Sequence, residues 1–415
     1  MAHTDDVQEY GTKYENQLDK LRDADIAVDD YAEIQAFIDY EDGNRNVNTG
    51  TLVSHLNRLR LSAERSDVPL VEMEKRDVDR LLADLKRGHG LSEGTVRNYR
   101  KALRVFYKWR GESWAEDIKI GASPERKVNP DTLLTDSDID ALLDTAPNLR
   151  DKAAIALLAD AGFRIGAVAS LRVRDVDLSG RLGMVSVNEN GNNKDATGAV
   201  PITWSRGYVA KWLSEHPRSD NPDAALIHKL RQSDGGDGAE VDDDGAMTYQ
   251  YLSRRVRWIG DKAGVEPEKL RTHNFRKTAI NRWIREEVPE QQIKHRAFWA
   301  KDSSQFDVYS GVTSEEMNQD IGAFYGIVDE DEDRQGGMTE CPQCNAHLRG
   351  SESFCGQCGA PLTDDAAATV SDAEDRTVEH AAETGGESAQ AALRLRELVQ
   401  ANPETVVEAL EEASE

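Results

Sequence analysis

The chain has 415 residues, enough for two or three domains, and a hydrophobic content of 38%, enough for ordinary cores. Its net charge is −26, and its 51 basic residues are 34 Arg and only 17 Lys, a balance that points to a halophilic protein kept soluble by carboxylates under strong screening. A polar N-terminus excludes a signal peptide, the longest apolar run (153–159) is too short to cross a bilayer, and four cysteines within 18 residues exclude a distributed disulfide framework. The expectation is a cytoplasmic protein with no membrane partner.

Residues 1–29 read as an acidic, partly helical lead-in. From 30 to 113 the pattern is helical, with turn-like breaks at 46–51 and 65–69. Asp77 is placed to cap a helix carrying Val78, Leu81, Leu82 and Leu85, and Ser92 to cap the next, over about 93–110. On that helix Val96, Tyr99, Leu103, Phe106 and Tyr107 form an apolar face. Arg97, Arg100, Lys101, Arg104 and Lys108 line the other side. Residues 86–110 hold 8 basic residues and 1 acidic one, so in a chain this acidic the row of cations suits a nucleic-acid backbone.

Residues 114–134 read as a linker. A new domain opens at 135 with Thr135-Asp136-Ser137-Asp138, a capping-box variant, followed by an apolar helix over 151–161. Strands are expected at 182–187 and 199–203 around a Gly/Asn-rich turn that holds Lys194. Residues 219–245 read as a loop. Helices are expected near 248–263, 273–286, 288–296 and 313–324, and 251–310 is the second basic stretch, with 13 basic against 8 acidic residues.

Between Gly162-Phe163-Arg164 and Tyr309 the chain presents two arginines (Arg164, Arg276), a lysine (Lys194), a histidine three residues before the second arginine (His273), a tryptophan (Trp299) and a late tyrosine (Tyr309). Arginine forks offset the charge of a phosphodiester. A histidine at i relative to an arginine at i+3 shares its helical face and can assist proton transfer or hold the phosphate. Tyrosine can attack and store the bond as a covalent phosphodiester. A hairpin lysine can protonate the leaving oxygen, and an indole N–H can reach a phosphate oxygen. None of these is telling alone; the order and spacing of the set carry the reading.

These stretches resemble a tyrosine recombinase of the phage integrase/Xer type over about residues 30–326. The likeness rests on Asp160-Ala161-Gly162-Phe163-Arg164-Ile165-Gly166, on Thr272-His273-Asn274-Phe275-Arg276-Lys277-Thr278, and on Phe298-Trp299 through Tyr309. The resemblance implies a mainly α fold with a small β-hairpin or sheet: a helical SAM-like core-binding domain (30–113), then an α+β catalytic domain (135–326). It implies Arg164 and Arg276 as the catalytic arginines, with His273, Lys194 as general acid, Trp299 on the phosphate and Tyr309 as nucleophile. Lys277 takes the place of a basic residue that contacts DNA. His295 and Tyr325 stay open as alternatives to Trp299 and Tyr309. It further implies double-stranded DNA as partner, a homo-tetramer on DNA, and no metal or ATP for the chemistry. Ala167 departs from the family's usual acidic residue, and Arg296-Ala297-Phe298-Trp299 from its usual Leu-Gly-His. Those departures motivate an alternative, a DNA-binding regulator that has lost catalysis. With the acidic, lysine-poor composition, a haloarchaeal type is expected.

Beyond an acidic linker (327–340), Cys341-x-x-Cys344 and Cys355-x-x-Cys358 resemble the two knuckles of a zinc ribbon (341–362), with four thiolates for one structural Zn2+. A closed set of four leaves no position for catalysis. Residues 363–390 are expected to be disordered, and 391–415 to carry an amphipathic helix. The ribbon or this helix is expected to meet a protein partner.

Overall fold

The structure is a computed structural model that describes residues 3–45, 47–122, 128–180, 182–191, 197–230, 244–300, 303, 306, 340–363 and 365–370. Lys194, Tyr309, the expected helix at 313–324, residues 327–339 and residues 371–415 lie outside the described residues. The chain divides into two units, one of residues 8–126 and one of residues 1–7 with 127–415.

The unit of residues 8–126 is helical: α1 (Tyr10–Arg22), α2 (Val28–Arg45), α3 (Thr49–Glu64), α4 (Lys75–Arg87) and α5 (Glu93–Trp109). α1 falls in the stretch read as a lead-in, and its Leu21 is buried in the core of this unit. α5 lies at the centre of that core, because its apolar face recurs at helical spacing: Val96, Leu103, Phe106 and Tyr107 are fully buried. Phe106 meets Phe37 of α2 edge-on, with centroids 5.5 Å apart. Buried Asp30 accepts from the backbone N–H of Leu70 (2.8 Å) and Val71 (2.9 Å), which caps the turn before α4. Ser92 caps α5 as expected. Asp77 does not cap α4. Glu74 holds the N-cap position, and Asp77, three residues on, accepts from the Glu74 N–H at 3.1 Å. The helix thus starts one turn earlier than its first apolar residue suggests.

In the other unit, α6 (Asp136–Thr145) opens with the expected box, since Thr135 accepts from Asp138 N–H and Asp138 from Thr135 N–H. α7 (Leu149–Asp160) is buried along nearly its whole length and forms the axis of the core. α8 (Ile165–Ser170) follows at once. Then come β1 (Val176–Asp177), β2 (Gly183–Ser186) and β3 (Ala199–Ile202), an antiparallel sheet in the order β1-β2-β3 with Val185 opposite both Val176 and Val200. The short β1 has too few residues to show an alternating pattern in the sequence. α9 (Ser205–Glu215), α10 (Tyr249–Lys262), α11 (Thr272–Arg285) and α12 (Glu290–Arg296) complete the unit. α9 was not legible in the sequence, because Gly207 and a mixed face hide its period.

Two further segments join this unit. Residues 3–7 lie on it as a strap. Val7 is fully buried in its core, and Thr4 bonds Asp244 (2.7 and 2.8 Å) and receives the Arg172 Nε–H (2.9 Å). The strap touches α8 and the 189–191 turn at the base of the β2–β3 connection. The four-cysteine segment, residues 340–363, packs on α6 and α9. Residues 365–370, inside the stretch expected to be disordered, are helical. Among the described residues no helix is long and apolar enough to cross a membrane.

Candidate active site and four-cysteine cluster

Three segments far apart in the sequence converge on Arg276. It lies in the first turns of α11 and is 1% exposed. Its Nη1 donates to the carbonyl of Gly162 at 2.9 Å, and its Nη2 to the carbonyl of Ala297. The guanidinium carbon lies 5.8 Å from the centre of the Trp299 ring. The arginine fork therefore ties together the α7–α8 corner, α11 and the stretch after α12.

The corner itself depends on Gly162, whose φ of +61° is a left-handed conformation. A Cβ there would sit 3.1 Å from Ala279 Cβ and 3.1 Å from the Trp283 ring, so the missing side chain also lets the corner lie against α11. Arg164 follows at the N-cap of α8 and is half-buried. Phe163 stacks on Phe298 with centroids 5.8 Å apart, which holds Phe298 at φ +52° and presents Trp299 next to it. Trp299 is half-buried against the small core of Ala279, Ile280, Trp283, Ile293 and Ala297. His273 is exposed and shares its helical face with Arg276; Lys277 is half-buried. His295, on α12, is exposed. Arg164, Arg276, Trp299 and the α11 turn of His273 are thus brought to one region, while Lys194 and Tyr309 fall outside the described residues.

Beneath this region lies a hub that sequence reasoning missed. Asp160, fully buried, accepts from Thr203 N–H (2.7 Å), Thr203 Oγ1 (2.6 Å), Ser205 N–H (3.2 Å) and Ser205 Oγ (2.7 Å). Arg296 reaches its Oδ1 at 2.9 Å and Arg282 at 3.7 Å. Burial pushes its pKa up, but Arg296, Arg282 and the hydroxyl donors outweigh it and hold the carboxyl below its ordinary value. Ala167, the residue that departs from the acidic one usual in the family this chain resembles, is buried and apolar. Asp160 is the carboxylate nearest to Arg164 in sequence and opens the 160–166 stretch that carries the resemblance, but nothing in that stretch named its partners.

On α5 the expected cation row is present but occupied. Arg100 pairs with Glu93, and Arg104 and Lys108 both pair with Glu116, the latter at 2.5 Å. Arg97 donates to the carbonyl of Gly121 at 3.3 Å, and Lys101 is exposed.

Cys341, Cys344, Cys355 and Cys358 offer sulfurs that all lie within 4.8 Å of one another. Cys341 and Cys358 are 3.6 Å apart and Cys344 and Cys355 are 3.7 Å apart. A tetrahedral ion with bonds of about 2.3 Å needs sulfurs about 3.8 Å apart, so the set fits a metal. The two knuckles repeat one another: Asn345 N–H bonds Cys341 O, and Gly359 N–H bonds Cys355 O, each at 2.8 Å. Asn345 and Gly359 both take the left-handed conformation that such a turn requires.

Residues 132–316 match the phage integrase family. The chain is 25% identical over 250 residues to tyrosine recombinase XerA of Pyrococcus horikoshii, covering 59% of this chain and 79% of that protein. It is 25% identical over 301 residues to tyrosine recombinase XerD of Yersinia pestis, covering 69% of this chain and 94% of that one. In fold it is similar to the Tn1549 transposon integrase in complex with transposon right-end DNA, with a TM-score of 0.51, 14% identity and coverage of 71% and 99%. It is also similar in fold to XerH site-specific recombinase bound to a palindromic difH substrate, with a TM-score of 0.50, 15% identity and coverage of 78% and 100%. The arginine turn and the α11 box both fall within residues 132–316, which carry the match to the phage integrase family, and the chain is similar to Xer tyrosine recombinases.

Proposed function

We propose that this protein cuts and rejoins double-stranded DNA at specific sites through a 3′-phosphotyrosine. The observation that carries the reading is the Arg276 fork, fixed by the carbonyls of Gly162 and Ala297 and set against Trp299. A guanidinium held in this way is aimed before substrate arrives, so no reorganisation is needed as charge develops on phosphorus. Arg164 and Arg276 neutralise the non-bridging oxygens, and the Trp299 indole N–H donates to one of them. The Tyr309 hydroxyl attacks phosphorus and loses its proton with the assistance of His273. The bond to the 5′ oxygen breaks, and Lys194 protonates that oxygen. Attack by a 5′ hydroxyl of the partner strand reverses each step and frees the tyrosine. No metal or ATP takes part. Four copies on two DNA segments, as expected for the family, would exchange the strands.

The test is a nicked duplex that traps the cut strand, taken from the protein's genomic neighbourhood and assayed in high potassium chloride without added divalent metal. A denaturant-resistant protein–DNA adduct is expected, and Tyr309→Phe should abolish it while leaving DNA affinity within about twofold. Specific binding by the parent chain with no adduct would instead establish the regulator reading.

In the unit of residues 8–126, Arg97, Arg100, Lys101, Arg104 and Lys108 are proposed to lie on the phosphate backbone, and Lys277 to contact DNA beside the α11 box. Glu116 already occupies Arg104 and Lys108, so phosphates must displace it. Glu116→Gln is expected to tighten DNA binding about two- to tenfold, since each exposed pair contributes up to about 1 kcal/mol. Anisotropy titrations across a potassium chloride series would show it, with unchanged affinity counting against α5 as a DNA face. The four cysteines are proposed to hold one structural Zn2+, which folds a segment too small to fold alone. The acidic surface suits a haloarchaeal cytoplasm.

A further inference from the structure

The four-cysteine segment is joined to the arginine turn by a line of contacts within one unit. Arg349 lies between the two knuckles with its side chain 3% exposed. It pairs with Asp140 of α6, stands 3.7 Å from Glu352, and sits 4.9 Å from the centre of the Trp204 ring. That ring also carries Arg282 of α11, at 6.0 Å, and Arg282 is one of the two arginines on Asp160.

A second line runs beside the first. Gln357, inside the second knuckle, accepts from Arg206 Nη1 at 2.8 Å, while Arg206 Nη2 holds the carbonyls of Leu178 and Gly180 in the β1–β2 turn. The two surfaces meet at backbone distance. A Cβ on Gly207 of α9 would fall 2.8 Å from the Gln357 backbone N, and one on Gly356 would fall 2.6 Å from the Tyr208 ring. A glycine on each side makes this approach possible.

Between Trp204 and Arg206 is Ser205, whose N–H and hydroxyl both hold Asp160. Asp160 precedes by two residues the Gly162 carbonyl that fixes Arg276. The start of α9 is thus gripped by the cysteine segment on one flank and grips the corner of Arg164 on the other. A ribbon that served only as a tethered reader of DNA or protein would need neither the buried Arg349 nor the paired glycines.

We propose that the metal-binding segment is an intramolecular brace of the catalytic corner, in which Arg349 and Gln357 are positioning residues that fix Arg164 and Arg276 through Trp204, Ser205 and Asp160. The part that concerns catalysis rests on the recombinase reading; the brace itself does not. Arg349→Ala touches no cysteine, and full-length protein carrying it should retain its zinc, measured per chain by elemental analysis. Hydrogen exchange at 160–164 should quicken at least tenfold. Adduct formation at saturating DNA should slow about tenfold, with half-saturation within twofold of the parent. Gln357→Ala should give the same signature more weakly, and serves if Arg349→Ala does not fold. Faster exchange confined to 340–363, with 160–164 unchanged, would overturn the brace and leave the segment a separate docking module. A melting point lowered without slower cleavage or faster exchange at 160–164 would overturn it too. Faster exchange at 160–164 in Arg349→Ala, where the parent chain itself forms no adduct, would sustain the brace and sink the recombinase reading instead.

Discussion

Arg276→Lys is expected to leave DNA binding within about threefold and to slow formation of the tyrosine adduct by about a thousandfold or more. The substitution keeps the positive charge and removes the fork. Arg276 reaches two carbonyls at once, those of Gly162 and Ala297, with its guanidinium beside the Trp299 ring. An ammonium on a flexible stem can satisfy one of them but cannot keep a plane fixed towards phosphate. Loss of a single preorganised donor to a developing oxyanion costs about a hundred- to a thousandfold in rate, and here donor and orientation go together. The orphaned carbonyl adds a stability cost of about 1–3 kcal/mol, because Arg276 is buried. The discriminating measurement is single-turnover cleavage of the nicked substrate at saturating protein, well below the melting point. Cleavage within tenfold of the parent would remove Arg276 from the proposed chemistry and leave it a structural tie.

What was legible beforehand follows from the range of the interactions. The Thr135–Asp138 box, the Ser92 cap and the knuckles of Cys341-x-x-Cys344 and Cys355-x-x-Cys358 close over three or four residues, so spacing alone announces them. The arginine turn was legible only through the order and spacing of the set from Arg164 to Tyr309; the left-handed corner at Gly162 was not part of that reading. The Asp160 hub was not, since it joins Asp160 to Thr203, Ser205, Arg282 and Arg296, and nothing local in the sequence links a carboxylate to partners 43 to 136 positions away. The strap of residues 3–7 failed for the same reason, because Thr4 bonds Asp244 across 240 positions. The cation row of α5 was read correctly as a face, yet its occupation by Glu116 came from a segment beyond the helix. Local rules find caps, turns and ligands; they do not find the buried charges that fasten one segment to another.

Asp160→Asn tests the largest of those fastenings. At neutral pH the side chain is a carboxylate between Arg296 and Arg282, with two hydroxyl donors and two backbone N–H groups. The amide keeps the shape, but its NH2 group faces donors, Arg296 loses its 2.9 Å carboxylate partner and Arg282 is left with Glu286 at 3.4 Å. Removing one partner of a buried pair costs about 3–5 kcal/mol, because the remaining charge stays out of water. In a unit of this size that corresponds to a fall in melting point of roughly 10 °C. The pH dependence has a definite sign. Asp160 is held below its ordinary value, so its contribution is complete above about pH 4 and is lost as pH falls through the depressed value. The gap between parent and variant should therefore be widest near neutrality and close in strong acid. Salt separates this site from the acidic surface: screening weakens exposed pairs, whereas the gap at Asp160 should persist in molar potassium chloride. Melting curves of both proteins over pH and salt measure all three features. A gap below about 2 °C at neutral pH, or one that vanishes with salt, would mean that the corner beneath Arg164 is held by packing of α7 on α11 and not by this charge.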